Sequence, residues 1–397
     1  MFDTEDASPK SVLHVRSKSV KSGAEAAAIT IADGLSEFEN LEISFKEVEP
    51  LPSPGDQLWE AIRYRVESKL LGWGFSETIT PTKYSPPLAG QGIELLHLHN
   101  IYNSGLRIED IRRLAKAFPL VWTIHDGRWV CWAENLRMGQ GGALRQLGAA
   151  ALHARLRNSL NNAEVVFPSA WLRQKALEHG LFSEKHTHVI PTPVAREFFD
   201  TKVSRETAKK ICGLDGETPL ILFVAWQAWK NKGDLNKGYG LLERAIPMLR
   251  KRHNFRFAIL GHNGDQIPKH LEALWVSPDG RKKQVADWMA AADFIVGASK
   301  QEGLGNVIQE AHAVGTPALV SASTGYLEIV DDGRTGLHFR TEDEEDFVNK
   351  ASQLLEAPIE RHVMAVNASE KASRLWSPNV VAKLYREVYS RALLNWG

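Results

Sequence analysis

The chain has little that would assign it to an extracellular, membrane-spanning or nucleic-acid-binding class. It contains two cysteines, Cys131 and Cys212, in 397 residues, which excludes a disulfide framework and a cysteine zinc cluster. No window reaches the roughly 18 continuous apolar residues of a membrane span, and the acidic start MFDTEDASPKS lacks the basic and apolar segments of a signal peptide. Lysine plus arginine number 48, as do aspartate plus glutamate, so no global charge indicates nucleic acid. We expect a cytoplasmic protein, and peripheral contact with the inner membrane surface is left open.

Short apolar runs alternate with helical patterns, which is typical of βαβ units and parallel sheets. A first series of strands is predicted at 12–16, 41–48, 93–100, 120–126, 164–169 and 186–194. A second series is predicted at 220–226, 255–261, 293–299, 317–321 and 336–339. Helices are predicted between the strands, for example at 24–35, 108–117, 239–252 and 306–314, and the tail 379–394 is predicted as an amphipathic helix. The pattern predicts an α/β protein with two doubly wound sheets.

The length of the chain favours two domains. The join is expected in the polar stretch 196–217. We place the first domain at 1–197 and the second at 198–377, and we expect the C-terminal helix, 378–397, to pack back on the first domain. Ligands of such sheets bind at the carboxyl ends of the strands, so motifs at those ends carry the functional argument.

The segment ADFIVGASKQEGLGNVIQEAHAVGTPALVSASTG predicts a buried strand, a glycine-bearing loop and a helix. The free N–H groups at a helix start suit an anion such as a diphosphate, and glycines let the backbone approach it. Glu302 in the loop could then meet a sugar attached to the phosphate, and Glu310, over a turn into the helix, could reach a ribose. By spacing alone, a plain strand–turn–helix with two solvated glutamates is about as good an interpretation. The expected phosphate contacts are Gly303, Leu304, Gly305 and Asn306.

This stretch resembles the E-x7-E signature of retaining GT-B glycosyltransferases of family 4 (glycosyl transferases group 1), followed by their EA-x-A-x-G-T-P run. The match continues through Thr324-Gly325, EIVDDG at 328–333 and TGL at 335–337. The resemblance implies two Rossmann-like domains that face each other across a crevice, an acceptor domain first and a nucleotide-sugar donor domain second. It implies that Glu302 contacts the donor sugar and Glu310 the nucleotide ribose.

The chain departs from the family pattern in places. It has Ala298-Ser299 where Pro-Ser is usual, and Thr324-Gly325 where Gly-Gly is usual. The family also places a basic residue, four others and Lys-Gly after the first strand of the donor domain. Lys232 and Lys237-Gly238 fit this spacing, although lysine replaces the usual arginine at 232, and Lys230 is a rival for its role.

Two cations that face a diphosphate offset its charge as the nucleoside diphosphate leaves. The alternative interpretation is that these lysines belong to a solvated polar loop. The resemblance therefore implies a reaction that needs no metal and no further cofactor, with a UDP- or GDP-linked sugar as co-substrate. It also implies a saccharide or lipid-linked acceptor.

The first half carries weaker motifs. Gly23 stands where the family often has Gly-Gly-Ala near the donor phosphates, and an ordinary helix start explains it at least as well. The run WTIHDGRWVCW resembles T-x-H-D-x-x-W in enzymes linked to bacterial polysaccharide synthesis. It implies that His125 positions the sugar beside the reacting carbon and that Asp126 orients it or contacts the acceptor, while a buried histidine is the alternative. The H-x-H-N run implies acceptor contacts by His99 and Asn100.

Three other features of the sequence each have two interpretations. His97 and His99 would share a strand face, but a metal needs three or four ligands and no Glu or Cys cluster joins them in sequence, so we expect no metal site. Trp226 and Trp229 could face sugar rings, although tryptophans more often pack. The basic, Leu- and Ala-rich stretch 144–160 could lie on an anionic membrane surface, and a core-facing helix is favoured.

Together the motifs and the resemblance predict a retaining glycosyltransferase of the hexosyltransferase type, acting in bacterial polysaccharide or glycoconjugate synthesis. The sequence leaves two alternatives open. One is a nucleotide-sugar epimerase or phosphorylase on the same fold, and the other is a non-catalytic partner that binds sugar nucleotides.

Overall fold

The computed structural model describes residues 8–17, 23–37, 41–48, 92–99, 108–125, 154, 160, 162–227, 229 and 236–396. The chain divides into two compact units. The first is Met1–Thr192 with Pro378–Gly397, and the second is Pro193–Ser377. The chain passes into the second unit at Pro193, ahead of the expected boundary after 197, because Val194, Ala195 and Phe198 are buried in the core of that unit.

The described part of the first unit contains a six-stranded sheet in the order β2-β1-β3-β4-β5-β6, with all neighbours parallel. The strands are β1 (Ser11–Ser17), β2 (Glu42–Val48), β3 (Leu95–His99), β4 (Leu120–Thr123), β5 (Glu164–Phe167) and β6 (Thr187–Val189). The helices described there before the chain enters the second unit are α1 (Gly23–Leu35), α2 (Ile108–Ala117), α3 (Ala170–Glu178) and a 3₁₀ turn, Glu184–His186.

The second unit contains a six-stranded parallel sheet in the order β12-β11-β10-β7-β8-β9 within the described residues. Its strands are β7 (Leu220–Gln227), β8 (Arg256–His262), β9 (Leu274–Val276), β10 (Phe294–Gly297), β11 (Ala318–Ser321) and β12 (Gly336–Phe339). Its helices are α4 (Arg196–Phe199), α5 (Arg205–Ile211), α6 (Tyr239–Arg250), α7 (Lys282–Ala291), α8 (Asn306–Val314), α9 (Tyr326–Ile329), α10 (Glu344–Glu356) and α11 (Pro358–Trp376), with 3₁₀ turns Gly264–Gln266 and Lys269–Leu271.

The last helix, α12 (Pro378–Asn395), belongs to the first unit. Its Val381, Tyr385 and Tyr389 are buried in one cluster with Ile31 of α1 and Leu95 of β3. On the other face of the sheet, a second cluster contains Leu96, Trp122, Phe167 and Leu172. Because strand residues alternate between the two faces, β3 directs its leucines 96 and 98 to one core and its odd-numbered residues toward α12.

The predicted α/β architecture with two parallel sheets is confirmed. Helices predicted at 108–117 and 306–314 have those bounds. The polar stretch 196–217 is not a linker, because α4 and α5 form there and belong to the second unit. Strand β9 was not predicted, since it has three residues and its Trp275 is half exposed. Among the described helices, none combines the length and apolar character that a membrane crossing requires.

A buried carboxylate ties three elements of the second unit together. Asp293, just before β10, accepts a hydrogen bond from the Leu220 N–H at 2.9 Å and one from Arg361 at 2.8 Å. Lys209 and Arg205 of α5 lie 3.1 and 3.8 Å from it. Burial alone would raise the pKa of Asp293, but the Leu220 bond and the three cations lower it below its ordinary value.

Replacement of this carboxylate should therefore destabilise the second unit. We expect Asp293→Asn to lower the free energy of unfolding by about 3–5 kcal/mol, since it leaves buried cations without their counter-charge. Because the folded pKa is depressed, the contribution is full above the unfolded pKa and disappears as the pH falls through the folded value.

Urea unfolding followed by tryptophan fluorescence measures the effect. Asp215→Asn is the matched control, because Asp215 pairs with Arg256 on the exposed surface and should give a much smaller change. Equal effects of the two substitutions would contradict the assignment.

Candidate active site

The carboxyl ends of β7 and β10 bring together two side chains that the sequence separates by 65 residues. The strands are neighbours in the sheet, Lys237 precedes α6, and Glu302 precedes α8. The Lys237 Nζ donates to Glu302 Oε1 at 2.5 Å. The side chains of Lys237 and Glu302 are 38% and 17% exposed, so solvent can reach the pair. The ion pair therefore joins two residues that were predicted from separate motifs.

A hydroxyl cluster orients the carboxylate of Glu302. Ser299 Oγ donates to the same oxygen, Oε1, at 2.7 Å, and the buried Tyr326 hydroxyl donates to Ser299 Oγ at 3.3 Å. Ser323 Oγ donates to the Ser299 carbonyl at 3.0 Å. Within the described part of the chain, Oε1 takes both charged and hydroxyl donors, so Oε2 is the oxygen left for a ligand.

Thr324 fixes the backbone of Glu302. Its Oγ1 accepts from the Glu302 N–H at 2.8 Å and donates to the Glu302 carbonyl at 2.8 Å, and the Gly325 N–H donates to that carbonyl at 3.1 Å. Thr324 has φ of +31°, a region that is unfavourable for a β-branched residue. The departure from the family's Gly-Gly is thus a strained residue whose hydroxyl holds Glu302 at two points.

Two glycines allow the loops to approach the sheet. Gly238, the N-cap of α6, has φ of +76°, and a Cβ there would lie 2.1 Å from the Ala298 carbonyl oxygen. Gly305, the N-cap of α8, has φ of +108°, and a Cβ would lie 2.7 Å from the Tyr326 ring. Both positions require glycine for conformation and for space. Gly305 sets the start of α8 at Asn306, as the sequence predicted.

The predicted phosphate loop lies in the second unit next to this pair. Gly303 follows Glu302 directly, and the Leu304 side chain is buried in the core, so a ligand contact at Leu304 would involve its backbone. Contacts of the loop with a diphosphate stay a prediction. The Glu310 carboxyl lies inside α8, and burial raises its pKa to about 7, against which Lys282 acts weakly.

In the first unit the structure groups histidines from β1, from β3 and from the segment that follows β4. His99 Nδ1 lies 3.2 Å from His125 Nε2, and His99 Nε2 lies 2.9 Å from His14 Nδ1. His99 is 1% exposed, so its place behind the half-buried His125 does not favour the open acceptor contact that the sequence predicted. His14 was missed, although its strand neighbours β3 and it stands in register with His97. A histidine inside an apolar strand gives no signal of its own.

The side chains of His14, His97 and His99 could hold a metal ion by spacing, since one ligand atom from each lies within 4.8 Å of the others. However, all six ring nitrogens have hydrogen-bond partners among the described residues. The expectation of no metal site stays a prediction.

Several predicted residues lie outside the described part of the chain. They are Asn100, Asp126 and Lys232. Most of the residues in 144–160 also lie outside the described part. Gly23 is the first residue of α1, which agrees with the helix-start alternative. Trp229 is buried in the core, while Trp226 is 64% exposed and packs edge-on against His262.

The chain resembles known glycosyltransferases. The family model described as "Glycosyl transferases group 1" matches residues 218–357. An uncharacterized glycosyltransferase of Methanocaldococcus jannaschii is 25% identical over 94% of this chain and 91% of its own length. An N,N'-diacetylbacillosaminyl-diphospho-undecaprenol alpha-1,3-N-acetylgalactosaminyltransferase of Campylobacter jejuni is 26% identical over 50% of this chain, and the chain spans about half (52%) of that relative.

A solved structure shows the same fold. The Anabaena protein HepE in complex with UDP-glucose superposes with a TM-score of 0.63 at 15% identity, over 95% of this chain and 98% of that one. The chain therefore has the GT-B fold. The family match and the named relatives support the predicted enzyme class, a hexosyltransferase-type glycosyltransferase. Residues 218–357 of the chain match the model of glycosyl transferases group 1, the family that the Glu302–Glu310 motif resembles.

The raised pKa of Glu310 makes stability depend on pH. The folded pKa of about 7 exceeds the ordinary 4.5, so the folded chain binds this proton more tightly and loses stability as the pH rises from 4.5 through 7. We expect the melting temperature of the wild type to fall relative to Glu310→Gln between pH 5 and pH 8. A constant difference between the two melting curves across this range would contradict the shift.

Loss of the Thr324 hydroxyl should misplace Glu302. We expect Thr324→Ala to lower kcat/KM for glycosyl transfer about tenfold to a hundredfold, because two hydrogen bonds to the Glu302 backbone disappear. Thr324→Ser keeps the hydroxyl and should stay within a few-fold of the wild type.

Thr341→Ala is the matched control, since this half-buried threonine donates to the Ala322 carbonyl at 3.4 Å and not to Glu302. Initial rates at several substrate concentrations measure the effect. Equal rates for the Ala variants at 324 and 341 would remove Thr324 from the site.

Proposed function

We propose that the chain is a retaining glycosyltransferase that moves a sugar from a nucleotide diphosphate sugar to a hydroxyl of a saccharide or lipid-linked acceptor. The observation that carries this proposal is the Lys237–Glu302 pair at the start of α8. A cation and a carboxylate lie together beside a helix start that is capped by glycine. The cation and the helix start suit a diphosphate, and the carboxylate can accept hydrogen bonds from sugar hydroxyls.

The donor is assigned to the second unit. Its diphosphate would contact the N–H groups at Gly305 and Asn306 and the ammonium of Lys237, with Lys232 as a second cation. Glu302 would accept hydrogen bonds from hydroxyls of the donor sugar, and Glu310 from the ribose. Support comes from Ser299 and Thr324, which hold Glu302 by its carboxylate and by its backbone. The complex of HepE with UDP-glucose supports a uridine-linked sugar as the first donor to test.

The acceptor is assigned to the first unit, around His125. In the proposed reaction the bond from the anomeric carbon to the phosphate oxygen breaks, and a bond to the acceptor oxygen forms on the same face of the sugar. The acceptor proton passes to the departing phosphate oxygen. No side chain is needed as a base, and the part of the donor unit that the structure describes offers Lys237 as the group that stabilises the leaving charge.

The cations also bear on metal dependence. A lysine beside the diphosphate supplies the counter-charge that a divalent ion would supply in its place. We therefore propose transfer without a bound metal or other cofactor.

The cellular role is proposed from relatives. The Campylobacter jejuni relative is named for an undecaprenol-diphosphate-linked acceptor, which supports a lipid-linked acceptor and synthesis of bacterial polysaccharide or glycoconjugate. We propose action in the cytoplasm with peripheral contact at the membrane, where such acceptors are held.

Substitution of the pair tests the donor assignment. We expect Glu302→Gln and Lys237→Ala each to lower transfer by at least about a hundredfold. Lys237→Ala removes the cation that offsets the charge of the leaving diphosphate, and Glu302→Gln removes the carboxylate that holds the donor sugar and pairs with Lys237. Lys300→Ala and Glu342→Gln are matched controls, since they form a second lysine–glutamate pair next to the same loop that does not touch Glu302. Normal turnover in both site variants would refute the proposal.

The product and the dependence on cofactors are read in the same assay. Proton NMR of the fresh product gives the anomeric configuration, which retention predicts to equal that of the donor. Activity should survive dialysis against EDTA. Conversion of the donor without any acceptor would instead identify an epimerase, and binding without turnover over a broad acceptor panel would identify a non-catalytic partner.

A further inference from the structure

Seven side chains of the first unit form one continuous hydrogen-bonded chain, in the order His125, His99, His14, Tyr389, His97, Thr123 and Tyr385. Its successive donor–acceptor distances lie between 2.7 and 3.3 Å. Six members are buried, and His125 is half buried. The chain thus runs from helix α12 to the residue that the sequence motif places beside the sugar.

The strand pattern explains why the members meet. His97 and His99 lie two apart on β3 and share its α12-facing side. His14 stands in register with His97 on β1, and Thr123 stands in register with His99 on β4. The two tyrosines, four residues apart, lie on one face of α12, so the helix supplies two hydroxyls to a polar patch on the sheet.

Burial holds the imidazoles of His14, His97 and His125 neutral, and the His99 ring lies buried between two of them. Burial lowers the pKa of His14 to about 3 and of His125 to about 4. It also lowers the pKa of His97 well below its ordinary value, with help from the charges of His14 and His125. A neutral imidazole has one N–H donor and one acceptor nitrogen. Each ring must therefore accept on one side and donate on the other, so one end of the chain determines the direction of every bond.

The tyrosine end sets that direction. In the described part of the chain, the one partner of the Tyr385 hydroxyl is Thr123 Oγ1 at 3.1 Å. Burial raises the pKa of Tyr385, so the phenol keeps its proton, and a buried O–H that does not donate is costly. Tyr385 therefore donates to Thr123, and Thr123 donates to His97 Nε2. If Thr123 accepted both bonds, its own proton would lack an acceptor among the described residues.

This direction determines the donor and the acceptor of every remaining hydrogen bond, and no ring nitrogen has to donate and accept at once. His97 Nδ1–H donates to Tyr389, and the Tyr389 O–H donates to His14 Nε2. His14 Nδ1–H donates to His99 Nε2, and His99 Nδ1–H donates to His125 Nε2. The last ring therefore carries its proton on Nδ1, the nitrogen outside the chain.

We propose that this series of hydrogen bonds fixes His125 as the neutral Nδ1–H tautomer and presents it as a hydrogen-bond donor to a sugar hydroxyl oxygen. His99, His14, Tyr389 and Tyr385 are then positioning residues, and α12 determines the tautomer of a residue at the opposite end of the cluster. The role of this donor in transfer rests on the proposed function, whereas the tautomer itself does not.

Nitrogen-15 NMR of histidine-labelled full-length protein tests the tautomer directly, with His125→Asn used to assign the signal. We expect wild-type His125 to show a protonated Nδ1 and an unprotonated Nε2. Tyr389→Phe removes the hydroxyl that connects His97 to His14 but keeps the ring, so His125 should become a mixture of tautomers. Ser390→Ala, the next residue in α12, whose hydroxyl bonds the Arg386 carbonyl, is the control and should leave the spectrum unchanged.

Kinetics test the consequence. Tyr389→Phe should lower kcat about tenfold with little change in the KM for donor, and His99→Gln should retain more activity than His99→Leu, because glutamine can both accept and donate. His125 in the Nε2–H form, or unchanged in Tyr389→Phe, would overturn the proposal. Metal-bound nitrogen signals that vanish with EDTA would overturn it too.

The two proposals fail in different ways. If the tautomer shifts in Tyr389→Phe while kcat stays at the wild-type value, the positioning role is overturned. If the wild type binds donor but transfers to no acceptor, the proposed function fails while the NMR result still decides the tautomer.

Discussion

Parallel pairing is the constraint on which the rest of the structure depends. When all strands of a sheet run in one direction, their carboxyl ends lie at one edge, and the loops that follow them converge there. In the second unit, this brings Lys237 after β7 next to Glu302 after β10. In the first unit, it brings His99 at the end of β3 next to His125 after β4. Side chains that are far apart in sequence thus become neighbours without any dedicated contact to recruit them.

The ion pairs of Asp293 and of Lys237 differ in burial, and this difference indicates which one stabilises the fold and which one can bind a ligand. Asp293 is 4% exposed and engages cations from two helices, so loss of one partner leaves a buried charge uncompensated. Lys237 is over a third exposed, and such pairs contribute little to stability. An ammonium that is weakly held can transfer from a carboxylate to an arriving diphosphate at small cost. Its position at the carboxyl edge is therefore better suited to ligand exchange than to holding the fold.

The sequence predicted much of the fold because its signals were local. Apolar runs of four to nine residues predicted eleven of the twelve described strands, and the helix at 306–314 was bounded by Gly305 and Gly315. It failed where the signal was short or polar. Strand β9 has three residues, and α5 lies in a stretch whose charges resemble a linker, although its Lys209 is buried against Asp293.

The site was predicted less completely, because its supporting contacts are non-local. The glutamates and Lys237 were found by spacing and resemblance. Thr324, however, looked like a tolerated departure from a glycine pair, and only its bonds to the backbone of Glu302 show what its hydroxyl does. His14 was missed because a single histidine within an apolar strand is indistinguishable from a core position until the neighbouring strand is known.

The histidines His14, His97 and His99 help to explain why α12 packs on the first unit. Three buried histidines on one face of a sheet carry six ring nitrogens, and an aliphatic helix packed there would leave several of them without partners, which is costly in a dry core. Tyr385 and Tyr389 provide apolar rings for the core and hydroxyls for the histidines. By sequence, this pair at i and i+4 is indistinguishable from an ordinary hydrophobic stripe. The helix therefore belongs to the first unit for a polar reason as well as an apolar one, and its position after the whole second unit along the chain makes closure of the first unit's core a late event in synthesis.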